Sequence, residues 1–595
     1  EAGRIKKEES ILVIMGNPPY SGISANINDW TEKLLKTNLD GAQTYYEIDG
    51  NKLAEKKTWL QDDYVKFLRF AQWKIHKAGK GIVGMITNHS YLDNPTFRGM
   101  RQSLMNTYNE IYLLDLHGNN LKKETSPDGG KDTNVFDIQQ GVAIAVFVKK
   151  ENVDGCHIYH ADLFGERESK YNWLDNHKLK TTNYKQLKPE SPWYFFIERN
   201  TKDIEYYNQW MKVNEIFPVN NLGVVTARDS FAIDFNKQVL EARIRQFRNL
   251  KVDEEFLKSA YGLKDTSTFK LRKFREEFSK VTDWEDDFQI IQYRPFDQRN
   301  ICYSEWVVER RIIDVMQHML KNNLGLITCR QIICDHFTHS FITNEITDNC
   351  SISNFTKERS YIFPLYLYQP DEKRKRHGFQ SMMMFDSGET YGLGGKKPNI
   401  APKVFEMLGS AYGPHAGGKG AGGEVSPEQI LYYCYAVLYS NTYRKKYAEF
   451  LKIDFPRIPF TSDYILFLQI AALGEELTQL HLLKSKTLHN PIVKYKGLGE
   501  DLIEKPIYNE ENQCVFINRT KYFDGIAPEM WNYHIGGYQV LEKFLKDRKG
   551  RQMNDPAPYC KIATSIASTI TIQLNIDLIY IELEEKGLFL EPFHR

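Results

Sequence analysis

Near the start of the chain, Asn17-Pro18-Pro19-Tyr20 joins an amide, a rigid backbone and an aromatic ring, directly after the apolar run Ile11-Leu12-Val13-Ile14-Met15 and Gly16. Consecutive prolines fix φ and remove N–H donors, so the segment neither continues a sheet ladder nor sits inside a helix. It reads as a stiff loop at the C-terminal end of a buried strand, the edge at which open α/β sheets take ligands. The Asn17 side-chain oxygen and the Pro18 carbonyl are acceptors that can take both hydrogens of a flat amine and turn its lone pair toward an electrophile. Tyr20 offers a π-face for stacking, a contact of roughly 1–3 kcal/mol per base. The bland alternative is an ordinary turn in which Tyr20 closes a core.

The surrounding elements must hold that loop. Residues 1 to about 150 alternate helical and strand signals, the pattern of a doubly wound sheet. Trp59 to Lys77 has helical spacing with Tyr64, Phe67, Leu68, Phe70, Ala71 and Ile75 on an apolar face, and Gly79 and Gly81 end it. Ile82–Thr87 and Leu113–Gly118 read as short strands, and a polar, Gly-rich loop from Asn119 to Asn134 leads to Phe136.

These landmarks carry a family resemblance. Asn17 to Tyr20 resembles motif IV of amino-group methyltransferases that use S-adenosylmethionine, in the form that implies adenine N6 as the target in DNA enzymes. Asp63-Tyr64-Val65-Lys66-Phe67 is similar to motif V, whose final Phe packs beside the cofactor's adenine. Gly79 to Asn88 resembles motif VI, and Phe97-Arg98-Gly99-Met100-Arg101 resembles the helix of motif VII. Val135-Phe136, before the strand Val142 to Val148, is similar to motif VIII, whose Phe helps hold an extruded base. The order matches the γ class. The resemblance implies a catalytic set of Asn17, Pro18, Pro19, Tyr20 and Phe136, cofactor contacts from Asn17 and Phe67, and no metal. In this family a Gly-rich cofactor loop precedes motif IV, and none stands upstream of Asn17. Most of the S-adenosylmethionine site is therefore expected on a missing upstream segment, leaving this fragment inactive by itself.

Size and charge bound the rest. A chain of 595 residues exceeds one compact core, so several domains are expected. Lys and Arg number 78 against 77 Asp and Glu, a formal net charge of +1, so nucleic-acid affinity must come from local basic patches. The charged N-terminus is not signal-like, and a cytoplasmic protein without membrane contact is the simplest expectation. The eight cysteines form no CxxC pair, which fits a reducing compartment. Cys329, Cys334, His336 and His339 are close in sequence, but Leu326–Cys329 and Gln331–Cys334 read as sheet core, and no metal site is expected.

Further along, arginine is dense beside aromatics. Arg228 follows a strand candidate at Gly223–Thr226, and Arg294-Pro295-Phe296-Asp297-Gln298-Arg299 precedes Tyr303, Arg310 and Arg311. Arginine reads guanine edges and clamps phosphates, although it equally ties loops together through carboxylates such as Asp297 and Glu309. Lys373-Arg374-Lys375-Arg376 is the strongest basic run, and Arg444, Lys445, Lys546, Arg548, Lys549 and Arg551 follow in helical segments. All are candidate DNA contacts. Ser426-Pro427-Glu428-Gln429 opens a long helix to about Tyr447, another begins near Asp463, and the last, from about Lys561 to Glu584, is mostly apolar.

Arg294-Pro295-Phe296-Asp297, Thr442-Tyr443-Arg444, Asp454-Phe455-Pro456-Arg457-Ile458-Pro459 and Gly536-Gly537-Tyr538-Gln539 together resemble the C-terminal specificity region of type ISP restriction-modification enzymes. That family joins a nuclease, a translocating ATPase, an adenine methyltransferase and a target-recognition domain in one polypeptide. The implied fold is α/β: the C-terminal half of a Rossmann-like methyltransferase sheet, then a large mixed α+β target-recognition domain in two lobes. The expected divisions are 1–150 for the methyltransferase portion, 151–218 for a connector, 219–412 and 426–595 for the lobes, and 413–425 for a Gly-rich hinge. The implied partners are double-stranded DNA and the upstream nuclease, ATPase and cofactor-binding segments. Two alternatives stay open: a DNA-specificity module without catalysis, or a methyltransferase for another amine, in RNA or a protein glutamine.

Overall fold

The computed structural model describes residues 10–20, 24–53, 58–120, 124, 126–127, 130–199, 203–334, 336–355, 357–369, 395–413 and 425–590. The basic run Lys373, Arg374, Lys375 and Arg376, and residues 414–424 of the Gly-rich segment, lie outside them. The chain forms two compact units, Glu1–Asn200 and Thr201–Arg595.

Unit 1 is built on β1 (Val13–Gly16), α1 (Asp29–Lys36), α2 (Asp63–Ala78), β2 (Gly81–Asn88), α3 (Arg98–Thr107), β3 (Glu110–Asp115), β4 (Val142–Lys149), β5 (His157–Asp162), α4 (Arg167–Asn176) and β6 (Lys185–Leu187). The helix expected from Trp59 begins only at Asp63, because Asp62 caps it, and Gly79 in the left-handed region closes it. The sheet order is β1-β2-β4-β3-β5-β6. It is a mixed sheet, since β4 runs antiparallel to both β2 and β3 while β1 and β2, and β3 and β5, pair in parallel. The expected connector over 151–218 instead supplies β5 and β6, which complete this sheet.

One expectation is corrected at the first strand. β1 is not buried: Val13 is 61% and Met15 81% exposed, and Ile11 and Leu12 are exposed beside them. Among the described residues β1 has one strand neighbour, β2, so it forms the sheet edge. The apolar run is what a strand covered on both faces would show, but here Ile14 packs against the core while Val13 and Met15 on the other face stay exposed. The interior of the unit lies behind β2, β3 and β4, where α2 and α3 bury Val65, Leu68, Ile75, Met100 and Leu104. Arg69 and Arg101 are fully buried there and serve architecture. Arg101 donates to the Tyr91, Asn94 and Trp193 carbonyls, and burial pulls its guanidinium down to about 9.

Among its described residues unit 2 contains three four-stranded sheets. One has the order β7 (Asn221–Leu222), β14 (Ser360–Pro364), β11 (Gly325–Cys329), β12 (Ser340–Thr343), and a second β8 (Ile233–Asp234), β10 (Asp297–Cys302), β9 (Phe288–Arg294), β13 (Ile346–Thr347). The third joins β15 (Lys494–Lys496), β18 (Tyr522–Asp524), β17 (Cys514–Phe516) and β16 (Ile507–Asn509). Gly223–Thr226 is not a strand; Val224 and Val225 make isolated bridges to Asp348 and Arg310. Gln331–Cys334 likewise leaves the sheet after β11.

The helices α5 (Pro427–Tyr439), α6 (Asn441–Lys446), α7 (Tyr464–His481), α8 (Val540–Lys546) and α9 (Ala557–Glu585) supply much of this unit's core. Ser426 and Gln429 form the expected capping box with Pro427 in the first turn. The helix does not run on to Tyr447, because Ser440 ends it and caps α6, its hydroxyl also reaching Asp577 at 2.7 Å. α5 and α7 approach so closely that a Cβ on Gly474 would lie 1.9 Å from the Tyr432 carbonyl oxygen. α9 is long and apolar enough to cross a membrane, yet half of that stretch is buried inside the unit. Its Ser565, Thr569 and Gln573 hydrogen-bond to neighbouring elements, the behaviour of a core helix. Tyr439, on α5, donates to the Ser340 carbonyl on β12, and Tyr538 donates to the Cys350 carbonyl, so segments from beyond residue 425 pack directly on earlier ones. The compact unit spans both expected lobes.

Candidate functional site at the sheet edge of unit 1

The strand directions bring the C-terminal ends of β1, β2, β3 and β5 to one edge of the sheet, and the expected site residues gather there. Asn17 is exposed, Pro18 is buried and Pro19 exposed. Tyr20 is half-buried, donates to the Ile86 carbonyl at 3.3 Å, and its phenol is pushed up to about 12 by burial. Phe136, more than a hundred residues away in sequence, meets it with ring centroids 5.9 Å apart and tilted by 55°. That spacing is direct aromatic contact, so a planar ring enters between them only if they part. Leu114, Leu116, Val135 and Val142 form the apolar floor beneath both rings. Phe67, on α2, is 51% exposed, and the structure brings no described group against it in the role of a cofactor wall.

Behind this pair lies a charged network that the sequence did not single out. Asp115, at the end of β3, is buried and receives His89 Nδ1 at 2.9 Å. Its carboxyl is held well below the usual carboxylate range: burial pushes it up, but His89 and His117 outweigh that. His117 adopts a left-handed φ of 50° and puts Nε2 2.9 Å from Asp162. Burial alone would lower its imidazole, yet Asp115, Asp162 and Glu124 raise it to about 10, so it carries a proton at neutral pH. Asn119 Nδ2 faces His89 Nε2 at 3.0 Å and fastens the outgoing loop. His89, His117 and Glu124, or Asp115, His117 and Asp162, place ligand-type atoms within 4.8 Å of one another. These atoms are already engaged in hydrogen bonds and ion pairs, which describes an internal proton-holding network. The signal available in sequence was the Asp115-x-His117 spacing at a strand end.

Gly118 shows how tightly the loop returns, since its φ is +75° and a Cβ there would lie 2.4 Å from Asn134 Cα. Asp132 then accepts from the Gly118 and Gly165 amides at 2.6 and 2.8 Å and pairs with Lys170 at 2.7 Å, both side chains being 0% exposed.

In unit 2 most of the proposed arginine contacts are engaged internally. Arg294 is buried against Asp348 at 2.9 Å. Arg299 bonds Asp297 and Asp547, and Arg548 reaches the other Asp297 oxygen at 2.7 Å. Arg228 pairs with Glu309 at 2.7 Å over the Phe269 ring, and buried Arg444 donates to the Leu438 carbonyl. These five guanidiniums are engaged inside unit 2 rather than turned to its surface, with Arg294 Nε and Arg444 Nη2 left buried and without a hydrogen-bond partner. Arg311 is half-buried 3.6 Å from Glu305. Arg310, Lys445, Lys549 and Arg551 are exposed, as is Lys546, which pairs with Glu542 at 2.8 Å. Of the Cys and His cluster, Cys329 is buried in β11, while His339 donates to Glu358 at 2.9 Å. Glu358 also takes the Ser353 hydroxyl and the Ile333 and Cys334 amides, and so organises a loop.

The family model of the Type ISP C-terminal specificity domain matches residues 215–567. No curated protein sequence matches the chain. Among solved structures, the chain is similar to the ATP-dependent Type ISP restriction-modification enzyme LlaBIII bound to DNA, at 20% identity and a TM-score of 0.68, over 97% of this chain and 38% of that one. A nuclease-deletion mutant of the Type ISP enzyme LlaGI with a DNA substrate mimic matches at 19% identity and TM-score 0.65, over 97% and 53%. The DrdV–DNA complex matches at 21% identity and TM-score 0.67, over 98% and 58%. The likeness is one of fold, and the chain spans between 38% and 58% of those proteins' lengths.

Proposed function

Because the chain belongs to the Type ISP C-terminal specificity domain family, we propose that it is the modification and target-recognition part of a restriction-modification enzyme that methylates adenine N6 in a specific DNA sequence. The observation that carries the catalytic half is the meeting of Asn17 to Tyr20 with Phe136 at one sheet edge. In this reading unit 1 is the C-terminal half of a Rossmann-like methyltransferase sheet. S-adenosylmethionine, when bound, supplies the methyl group. Exposed Phe67 and Asn17 suit its contacts here, and the open side of β1 leaves the rest of the pocket to a preceding segment of the same polypeptide, together with its nuclease and ATPase.

This chain's own residues do the positioning. Adenine leaves the duplex, which costs a few kcal/mol, and Tyr20 and Phe136 part to take it between them. Asn17 Oδ1 and the Pro18 carbonyl accept the two N6 hydrogens and aim the lone pair. Alignment is the main catalytic contribution, and no covalent intermediate with the protein is needed. Among the described residues expected to meet DNA, exposed Arg310, Lys445, Lys549 and Arg551, with Lys546 beside Glu542, are the cations we assign to phosphates.

The test is adenine-methylation sequencing of DNA from cells expressing the full-length polypeptide, with and without Asn17→Ala. The substitution lowers methylation by about a hundredfold or more, the scale of a lost alignment. Methylation unchanged by it would sink the site assignment. Sequence-specific DNA binding with no methylation in either would favour a specificity module without catalysis.

A further inference from the structure

One face of α4 holds the backbone beside Phe136 in an unusual way. Arg167, Lys170 and Tyr171 follow i, i+3, i+4 spacing, so they project together. Lys170 Nζ donates to the Thr133 carbonyl at 2.8 Å, Arg167 Nε to that of Asn134 at 2.7 Å, the Tyr171 hydroxyl to that of Val135 at 2.5 Å, and Arg167 Nη2 to that of Phe136 at 3.0 Å. Consecutive carbonyls from Thr133 to Phe136 are thus each taken by a side chain from one turn of helix.

We propose that Arg167, Lys170 and Tyr171 are positioning residues, a clamp that fixes Phe136 as the immobile wall against which an extruded base is held. The inference rests on the reading of Phe136 given above. Lys170 is itself locked by the buried pair with Asp132 and by the Leu116 carbonyl at 2.7 Å, which ties the clamp to the end of β3. α4 also sends Trp173 and Leu174 into the apolar cluster that includes Phe136, so helix and ring share one packing unit. Loop carbonyls commonly find scattered partners; here the partners come from a single rigid element, and the phenyl ring itself is left half-exposed toward Tyr20. The opposite wall is held less firmly, by the 3.3 Å bond from Tyr20 to Ile86. Entry of a base therefore moves Tyr20 and leaves Phe136 in place.

The experiment uses the full-length polypeptide and an oligoduplex with 2-aminopurine in place of the methylated adenine, whose fluorescence rises on extrusion. The double variant R167M/Y171F removes three of the four carbonyl bonds and leaves the Lys170 and Asp132 pair intact. The expected result is unchanged duplex Kd and unchanged KM for S-adenosylmethionine, with a reduced aminopurine signal and kcat lower by about tenfold, equivalent to ~1.4 kcal/mol. Arg167→Lys, which can serve one carbonyl at a time, recovers part of both. If the double variant melts early, the single Tyr171→Phe, which deletes a hydroxyl on an exposed residue, is read in the same way. Wild-type signal and kcat, or a fall in duplex affinity that accounts for the lost signal, overturns the clamp. Phe136→Ala separates the two levels. Should it also retain wild-type signal and kcat, the underlying reading of Phe136 fails; should it lose both while R167M/Y171F keeps them, the clamp alone fails.

Discussion

Lys170→Met tests whether the loop that carries Phe136 is held electrostatically. Lys170 and Asp132 are both 0% exposed and 2.7 Å apart. Removing the ammonium leaves a buried carboxylate without its counter-charge, which typically costs about 3–5 kcal/mol. The Gly118 and Gly165 amides still donate to Asp132, which places the electrostatic loss near the lower end, ~3 kcal/mol. The Leu116 and Thr133 carbonyls also lose donors, adding roughly 1 kcal/mol each. A total of ~5 kcal/mol in a unit of this size corresponds to a melting shift of roughly 10–20 °C. Pulse proteolysis with cleavage sites mapped by mass spectrometry reads unit 1 apart from unit 2. Adding Asp132→Asn removes the stranded charge and should recover roughly 2 kcal/mol. A Lys170→Met penalty under ~1 kcal/mol, or a double variant no more stable than the single, refutes the reasoning.

The proton on His117 gives unit 1 an alkaline weakness. Its folded pKa of about 10 exceeds the unfolded value of about 6.5, so its contribution is complete below the unfolded value and is lost as pH rises through the folded one. The melting temperature of unit 1 should therefore fall between about pH 6.5 and 10, and His117→Gln should flatten that fall; an identical slope in both proteins speaks against the network. Gly474→Ala forces a Cβ to 1.9 Å from the Tyr432 oxygen, and urea unfolding should show unit 2 destabilised by ~2 kcal/mol or more. For DNA, Lys549→Glu should reduce the salt dependence of binding by about one counterion. Arg294→Met should instead lower thermal stability, because it strands Asp348, with little change in the salt slope per folded molecule.

The sequence made the Asn17 to Tyr20 loop legible because its signals are local: two prolines after an apolar run define a stiff turn wherever they occur. It also paired Tyr20 with Phe136 through a family resemblance, and the fold puts them in contact. Arginine was harder to read. Arg299 finds Asp547, and Arg294 finds Asp348, partners that no local pattern links, so exposure could not be separated from internal pairing. The exposure of β1 was invisible for a related reason, since apolar composition reports what a strand prefers to touch and not what is present to touch it. The α4 clamp was hidden differently: its acceptors are backbone carbonyls, which every residue has, and only the return of the chain past Gly118 brings them within reach. Ser440 broke a helix whose periodicity continued, because a capping hydroxyl with Asp577 as partner outcompeted propensity.

Among the described residues the outer edge of β1 has no partner strand, which matters for anyone handling this chain without the preceding segment proposed above. A strand edge presents unpaired N–H and C=O groups, and natural proteins usually blunt such edges with lysine, proline or a bulge. β1 reads Val13-Ile14-Met15-Gly16, with no charge in the strand and the Val13 and Met15 side chains exposed. In concentrated solution two copies can zip together along this edge, a route to oligomers and precipitate that has nothing to do with target recognition. A lysine in place of Met15, the most exposed side chain of the strand, is the smallest change that should keep the chain monodisperse.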